Sequence, residues 1–136
     1  MLIMAEDFVF EDTVRIYDTD AQGVVHYAGY YRFFTDAAEN FMRETLGISY
    51  PLLDNDTWFV VVESKAQYKK SARLGDNLSV VLRPKKLSRK ALRFDFQILR
   101  NGDLICDGYI TQVAINKKEW KAVELPKALL QKIDML

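Results

Sequence analysis

The chain has 136 residues, 49% of them hydrophobic, and its 19 basic residues balance 19 acidic ones. That length supports one globular core and is too short for two, and a formal net charge of zero gives no electrostatic footing for nucleic acid or an anionic membrane surface. One cysteine, Cys106, cannot form an internal disulfide, and no stretch reads as a signal peptide or a membrane span, so a single cytoplasmic domain over residues 1–136 is expected.

Phe8 to Tyr17 places Phe8, Phe10, Val14 and Ile16 on one parity, which predicts a first strand interrupted only by Asp12. From about Ala28 to Leu46 the period changes. Tyr30, Phe34, Ala38, Phe41, Met42 and Thr45 fall at helical spacing, with Arg32, Asp36, Glu39, Asn40, Arg43 and Glu44 between them, and Gly47 caps the end. A helix this apolar must be wrapped rather than exposed. After a loop around Pro51 to Asp56, four extended segments follow, roughly Trp58 to Ala72, Asn77 to Leu87, Lys90 to Arg100 and Asp103 to Asn116. Gly75-Asp76 and Asn101-Gly102 mark turns, the second a tight two-residue hairpin. In the third segment Leu92, Phe94, Phe96 and Ile98 alternate with Arg93, Asp95 and Gln97, the pattern of a sheet with one buried and one wet face. Leu125-Pro126 leads into a short amphipathic tail helix.

The stretch VRIYDTDAQGVVHYAGYY, Val14 to Tyr31, delivers two aspartates into a glycine turn just ahead of the helix. A carboxylate at such a junction sits beside unpaired helix N–H groups, which can hold a developing oxyanion while the carboxylate attacks or activates water. Asp18 to Gly23 nearly spells a calcium loop, but its twelfth position is Gly29, where a bidentate Glu is required. A haloacid-dehalogenase-type phosphatase needs a doubly wound α/β domain that a chain this poor in helices cannot supply. The plainer alternative is that both aspartates make side-chain turns and cap the helix. No metal site is expected, since Cys106 and His26 are singletons far apart in sequence, and Cys106 reads as a small core residue.

Asp18, Asp20, Gly23, Val24, Val25, His26, Tyr27 and Tyr30 resemble the signature of hot-dog-fold acyl-CoA thioesterases, in particular the 4-hydroxybenzoyl-CoA thioesterase branch and the thioesterases encoded beside bacterial Tol-Pal genes. FVVVESKAQYKKSARLGD, Phe59 to Asp76, is similar to the family's second strand and its following turn, so the resemblance covers most of the chain. It implies an α+β hot-dog fold, one long central helix wrapped by an antiparallel five-stranded sheet. It also implies hydrolysis of a CoA thioester without metal or organic cofactor, coenzyme A being part of the substrate. Asp20 matches the catalytic carboxylate, as nucleophile or as general base, and Asp18 orders the turn. The oxyanion falls to a backbone N–H at the helix start, that of Tyr27, while Gly23 lets substrate approach the main chain and Val25 belongs to the substrate-binding part of the motif.

The Tol-Pal-associated relatives usually carry Tyr-His where this chain has His26-Tyr27. That swap favours Tyr27 as pocket wall or donor, tilts the substrate toward aromatic or short acyl groups, and leaves His26 as a weaker catalytic candidate beside a structural hydrogen-bonding role. Tyr30 lines an acyl pocket or simply belongs to the core. Two basic clusters could meet the substrate's phosphates. Lys69, Lys70 and Arg73 follow the second strand, and Ser88, Arg89 and Lys90 occupy the turn whose counterpart in the 4-hydroxybenzoyl-CoA branch contacts the nucleotide, which makes it the better carry-over against an ordinary solvated turn. The resemblance also implies homodimers or homotetramers with active sites at the subunit boundary. Two rivals stand beside the thioesterase: a hot-dog dehydratase or hydratase using His26 with Asp36 or Glu39, and a non-catalytic acyl-CoA-binding module.

Overall fold

The computed structural model describes residues 3–4 and 7–136. Its elements run β1 (Phe8–Thr13), a 3₁₀ turn (Ile16–Asp18), α1 (Tyr30–Leu46), β2 (Thr57–Tyr68), β3 (Asn77–Lys86), β4 (Ala91–Arg100), β5 (Asp103–Asn116), β6 (Lys121–Ala122) and α2 (Lys127–Asp134). All pairings are antiparallel, in the order β1-β3-β4-β5-β2. The five long strands match the expectation, and the two-residue β6 adds itself to the end of β5.

The sheet curls around α1, as the apolar face of the helix requires. Phe33, Phe34, Ala37, Ala38, Phe41, Met42 and Leu46 are buried from the helix side, and Leu78, Val80, Leu82, Leu92, Phe94, Phe96 and Ile98 from the sheet side. Phe34 stacks on Phe96 with centroids 4.5 Å apart, and Phe41 meets Phe94 edge-on at 5.6 Å. Thr45, expected on the inner face, is exposed, and Phe33, Ala37 and Leu46 take up the inner positions beside the predicted ones. Gly47 adopts φ 69° and the Ile48 N–H reaches back to the Met42 carbonyl at 2.9 Å, a Schellman close to the helix. Asn101 and Gly102 both take positive φ, 51° and 83°, as the primed two-residue turn between β4 and β5 demands.

The first strand stops four residues early. Val14 keeps its inward place, but its N–H pairs with the Asp76 carbonyl, and the chain then folds into the 3₁₀ turn because the Asp18 carboxylate accepts the Arg15 N–H at 2.8 Å. Ile16, expected inside, is left 75% exposed. The second strand likewise ends at Tyr68 rather than Ala72, where the Lys69 and Lys70 N–H groups both turn to the Ile105 carbonyl.

Candidate active site

Two short chain reversals build the site. Residues 18–20 run antiparallel to 24–26 through the Asp20 N–H to Val24 carbonyl bond (2.9 Å), the His26 N–H to Asp18 carbonyl bond (3.1 Å) and the Thr19–Val25 bridge. Residues 23–25 are clamped on their other side by 72–74, through Val25 N–H to Ala72 O at 2.9 Å and Leu74 N–H to Gly23 O at 3.2 Å. Gly23 closes the tip at φ 77° with open space around its α-carbon, so its role is conformational.

The two aspartates, two residues apart, have opposite surroundings. Asp18 is 2% exposed and grips Arg32 of α1 in two-pronged fashion, Nε and Nη2 each lying 2.6 Å from a carboxylate oxygen. Arg32 also donates to Asp12 at 3.0 Å and Asp36 at 2.7 Å, and Asp12 in turn accepts from Arg15 at 2.8 Å. Burial works to raise the Asp18 carboxyl, but the bonds from Arg32 and the Arg15 N–H outweigh it and hold it below the usual carboxylate range. Arg32, which the helical pattern assigns to the wet face, is therefore the anchor of the turn, and its own proton is held more tightly than usual by the same carboxylate. Asp12, the interruption in the first strand, lies on the inward parity because Arg32 waits there.

Asp20 is exposed at the hairpin tip. One of its oxygens accepts the Gln22 N–H at 2.8 Å, and the other meets no donor among the described residues.

Beyond His26 the chain enters α1 through Gly29, which has no side-chain cap. The Gly29 N–H bonds the His26 carbonyl at 2.8 Å, while the Tyr27 and Ala28 N–H groups have no acceptor among the described residues. These two donors stand one and two residues ahead of the Gly29 cap, at the positive end of α1, where an anion can accept from them. Accepting a bond at the His26 carbonyl polarises the same peptide that carries the Tyr27 N–H and strengthens it as a donor. Only glycine fits at position 29, because a Cβ there would lie 2.9 Å from the Asp18 carbonyl oxygen and 2.9 Å from Val25 Cγ1.

The Tyr27 side chain is 77% exposed, and its ring sits edge-on to His26, whose side chain has no hydrogen-bond partner among the described residues. Next to the free N–H groups is a shallow cleft of about 220 Å³ lined by Val25, Tyr27, Tyr30 and Tyr68 with the Lys69–Ser71 segment. Tyr30 is both core and wall: it is 3% exposed, and its hydroxyl accepts the Ala72 N–H at 3.2 Å. Three larger hollows lie elsewhere among the described residues: on the sheet's outer face, beside the C-terminus, and along β1 at Asp12 and Arg15.

The two basic clusters separate. Lys69 and Lys70 stand at the cleft, with Lys70 also 3.6 Å from Asp103. Ser88, Arg89 and Lys90 form the β3–β4 turn, tied to the C-terminal segment by Arg89–Glu124 at 2.9 Å. Within one protomer that turn lies at the opposite end of β3 from Asn77 and the hairpin, and ten strand residues span about 30 Å. Tyr68, Gly29 and Arg32 are site residues that sequence reasoning passed over. A glycine just before the helix was the one local signal among them. Among the described residues no three His, Cys, Asp or Glu gather as a metal site, and Cys106 is fully buried, its thiol pushed up to about 12 by burial.

Comparison with known proteins gives the family and the fold. The profile of the thioesterase-like superfamily matches residues 14–133. The acyl-CoA thioesterase YbgC of Haemophilus influenzae is 29% identical over 121 residues, 87% of this chain and 89% of that protein. A 1,4-dihydroxy-2-naphthoyl-CoA hydrolase of Synechococcus is 29% identical over 120 residues, 84% of this chain and 80% of its own. The crystal structure of a hypothetical protein from Aquifex aeolicus superposes with a TM-score of 0.84 at 28% identity, covering 92% of this chain and 98% of that one. The chain belongs to the thioesterase-like superfamily, and the expectation of a hot-dog acyl-CoA thioesterase holds for fold, family and reaction class.

Proposed function

We propose that this chain hydrolyses acyl-CoA thioesters to free acid and CoA, with Asp20 as the reacting carboxylate and the Tyr27 N–H as oxyanion donor. The observation that carries this assignment is the pairing of an exposed aspartate, one oxygen free, with an unpartnered and polarised N–H at the start of α1. As general base, Asp20 takes a proton from water, the hydroxide adds to the thioester carbonyl, and the C–S bond breaks as the thiolate recovers the proton. As nucleophile, its carboxylate displaces the thiolate to give a mixed anhydride that water then opens. In both routes the carbonyl oxygen becomes an anion against the Tyr27 N–H.

The tyrosine-walled cleft supports aromatic or short acyl groups, and the match to a relative named for a naphthoyl-CoA points the same way. In this reading Val25 is part of the cleft wall and His26 supplies the carbonyl of the peptide that carries the Tyr27 N–H. Asp36, one of the two acids the dehydratase rival would borrow beside Glu39, is committed to Arg32. Lys69 and Lys70 are the cations that one protomer offers the CoA phosphates. Ser88, Arg89 and Lys90 can meet substrate bound at this site only from a second copy. Association into dimers or larger homo-oligomers has its own support in the edge strand β2, whose Val61 and Val62 are 53% and 59% exposed beside a register shift. Neither route draws on a cofactor beyond the CoA of the substrate.

The test is thiol release from acetyl-, hexanoyl-, palmitoyl-, benzoyl- and 4-hydroxybenzoyl-CoA by wild type and Asp20→Asn. Loss of about a hundredfold or more in the variant is expected, with benzoyl or short esters preferred. Full activity in Asp20→Asn would sink the assignment.

A further inference from the structure

We propose that Tyr68 is a positioning residue for the oxyanion donor, fixing the Tyr27 backbone through a hydrogen bond to its carbonyl. The inference rests on the reading of Tyr27 given above and adds to it a residue from the end of the edge strand. The Tyr68 hydroxyl donates to the Tyr27 carbonyl oxygen at 2.7 Å, across 41 residues of sequence. Its ring packs against Tyr30 with centroids 5.2 Å apart, and Tyr30 is itself anchored by the Ala72 N–H. Tyr68 is thus a braced strut between β2 and the entrance to α1.

The need for a strut follows from how Tyr27 is held. Its side chain, 77% exposed, gives it little packing, and its N–H must stay free to serve the substrate. Two peptide planes flank its α-carbon. The first, which carries the Tyr27 N–H, is fixed at the His26 carbonyl by Gly29 at 2.8 Å, and the second is fixed at the Tyr27 carbonyl by Tyr68. With both planes held, the direction of the free N–H is set before substrate arrives, and a preorganised donor costs nothing to orient at the moment of reaction. Burial and the neighbouring tyrosines raise the Tyr68 phenol above its ordinary value, so it remains a donor through neutral pH.

Tyr68→Phe keeps the ring against Tyr30 and removes only the hydroxyl. Loss of a whole oxyanion donor costs about a hundred- to a thousandfold in kcat, so a loosened one is expected to lower kcat about tenfold, leaving KM within about twofold and the melting temperature within about 4 °C of wild type. The oxyanion is common to every thioester. The loss is therefore expected to be the same for acetyl- and benzoyl-CoA, whereas a residue that merely walls the acyl pocket gives a loss that varies with the acyl group. Asp20→Asn is measured in the same assay. Wild-type kcat in Tyr68→Phe, a change in KM alone, or a loss confined to one acyl group overturns the positioning role while an inactive Asp20→Asn leaves the site reading standing. An active Asp20→Asn overturns that reading and the Tyr68 role with it.

Discussion

Asp18 and Asp20 are the same residue type on the same hairpin arm, yet one is sealed under Arg32 and the other stands open at the tip. Asp18 accepts two charge-assisted bonds from the guanidinium and one from the Arg15 N–H, and is sealed from solvent. Asp20 spends one oxygen on the Gln22 N–H and keeps the other. The D-x-D spelling thus separates two environments: the first acid fastens the turn to the helix, and the second stands open at the tip with a single side-chain tie, to the Gln22 N–H. Proximity in sequence says little about role when solvent exposure differs this sharply.

Substitution at the two positions should separate the roles. Asp20→Asn is expected to lose about a hundredfold or more of its turnover while its unfolding free energy stays within about 0.5 kcal/mol of wild type, as read by thiol release and denaturant melts. Asp18→Ala should do the reverse in kind, costing about 3 kcal/mol of stability because Arg32 loses its buried partner, with activity falling only as far as the hairpin loosens. Equal destabilisation by the two changes would erase the distinction. Gly29→Ala sharpens it from the other side, since the new methyl would press on the Asp18 carbonyl and Val25 at 2.9 Å. A loss of about 1–3 kcal/mol is expected, together with reduced kcat, since the same shift disturbs the Tyr27 peptide.

The smallest effect is on pH. The folded-state value of Asp18 lies below its unfolded one, so the stability it contributes is complete above about pH 4 and is lost as pH falls through the lowered folded value. Melting temperature measured from neutral to acid should therefore drop more steeply in wild type than in Asp18→Asn. Parallel acid limbs would show that the Asp18–Arg32 pair contributes nothing to acid stability.

Local chemistry explains what could be read in advance. The Asn101-Gly102 hairpin, the Gly47 cap and the inner face of α1 depend on neighbours a few residues away, and a single sequence displays those. Arg32 reaches Asp18 over 14 residues and Tyr68 reaches Tyr27 over 41, and each looks like an ordinary surface residue until the chain is folded. The Ile16 error has the same origin: a carboxylate two residues ahead captured the Arg15 N–H and ended the strand. The placement of Lys69 and Lys70 at the cleft, with Ser88 to Lys90 at the far end of β3, follows from antiparallel topology rather than from composition. The β6 pairing exists only because β5 outruns β4, whose last partner there is Val113.

Cys106 carries a practical consequence. A thiol with no solvent access, held protonated up to about pH 12, offers almost no thiolate to an electrophile. Colorimetric reagents that count liberated coenzyme A will therefore pass over the native enzyme and register product alone. The same sulfur becomes reactive the moment the sheet opens away from the helix, so one label reports turnover in the folded protein and cooperative unfolding in a denatured sample.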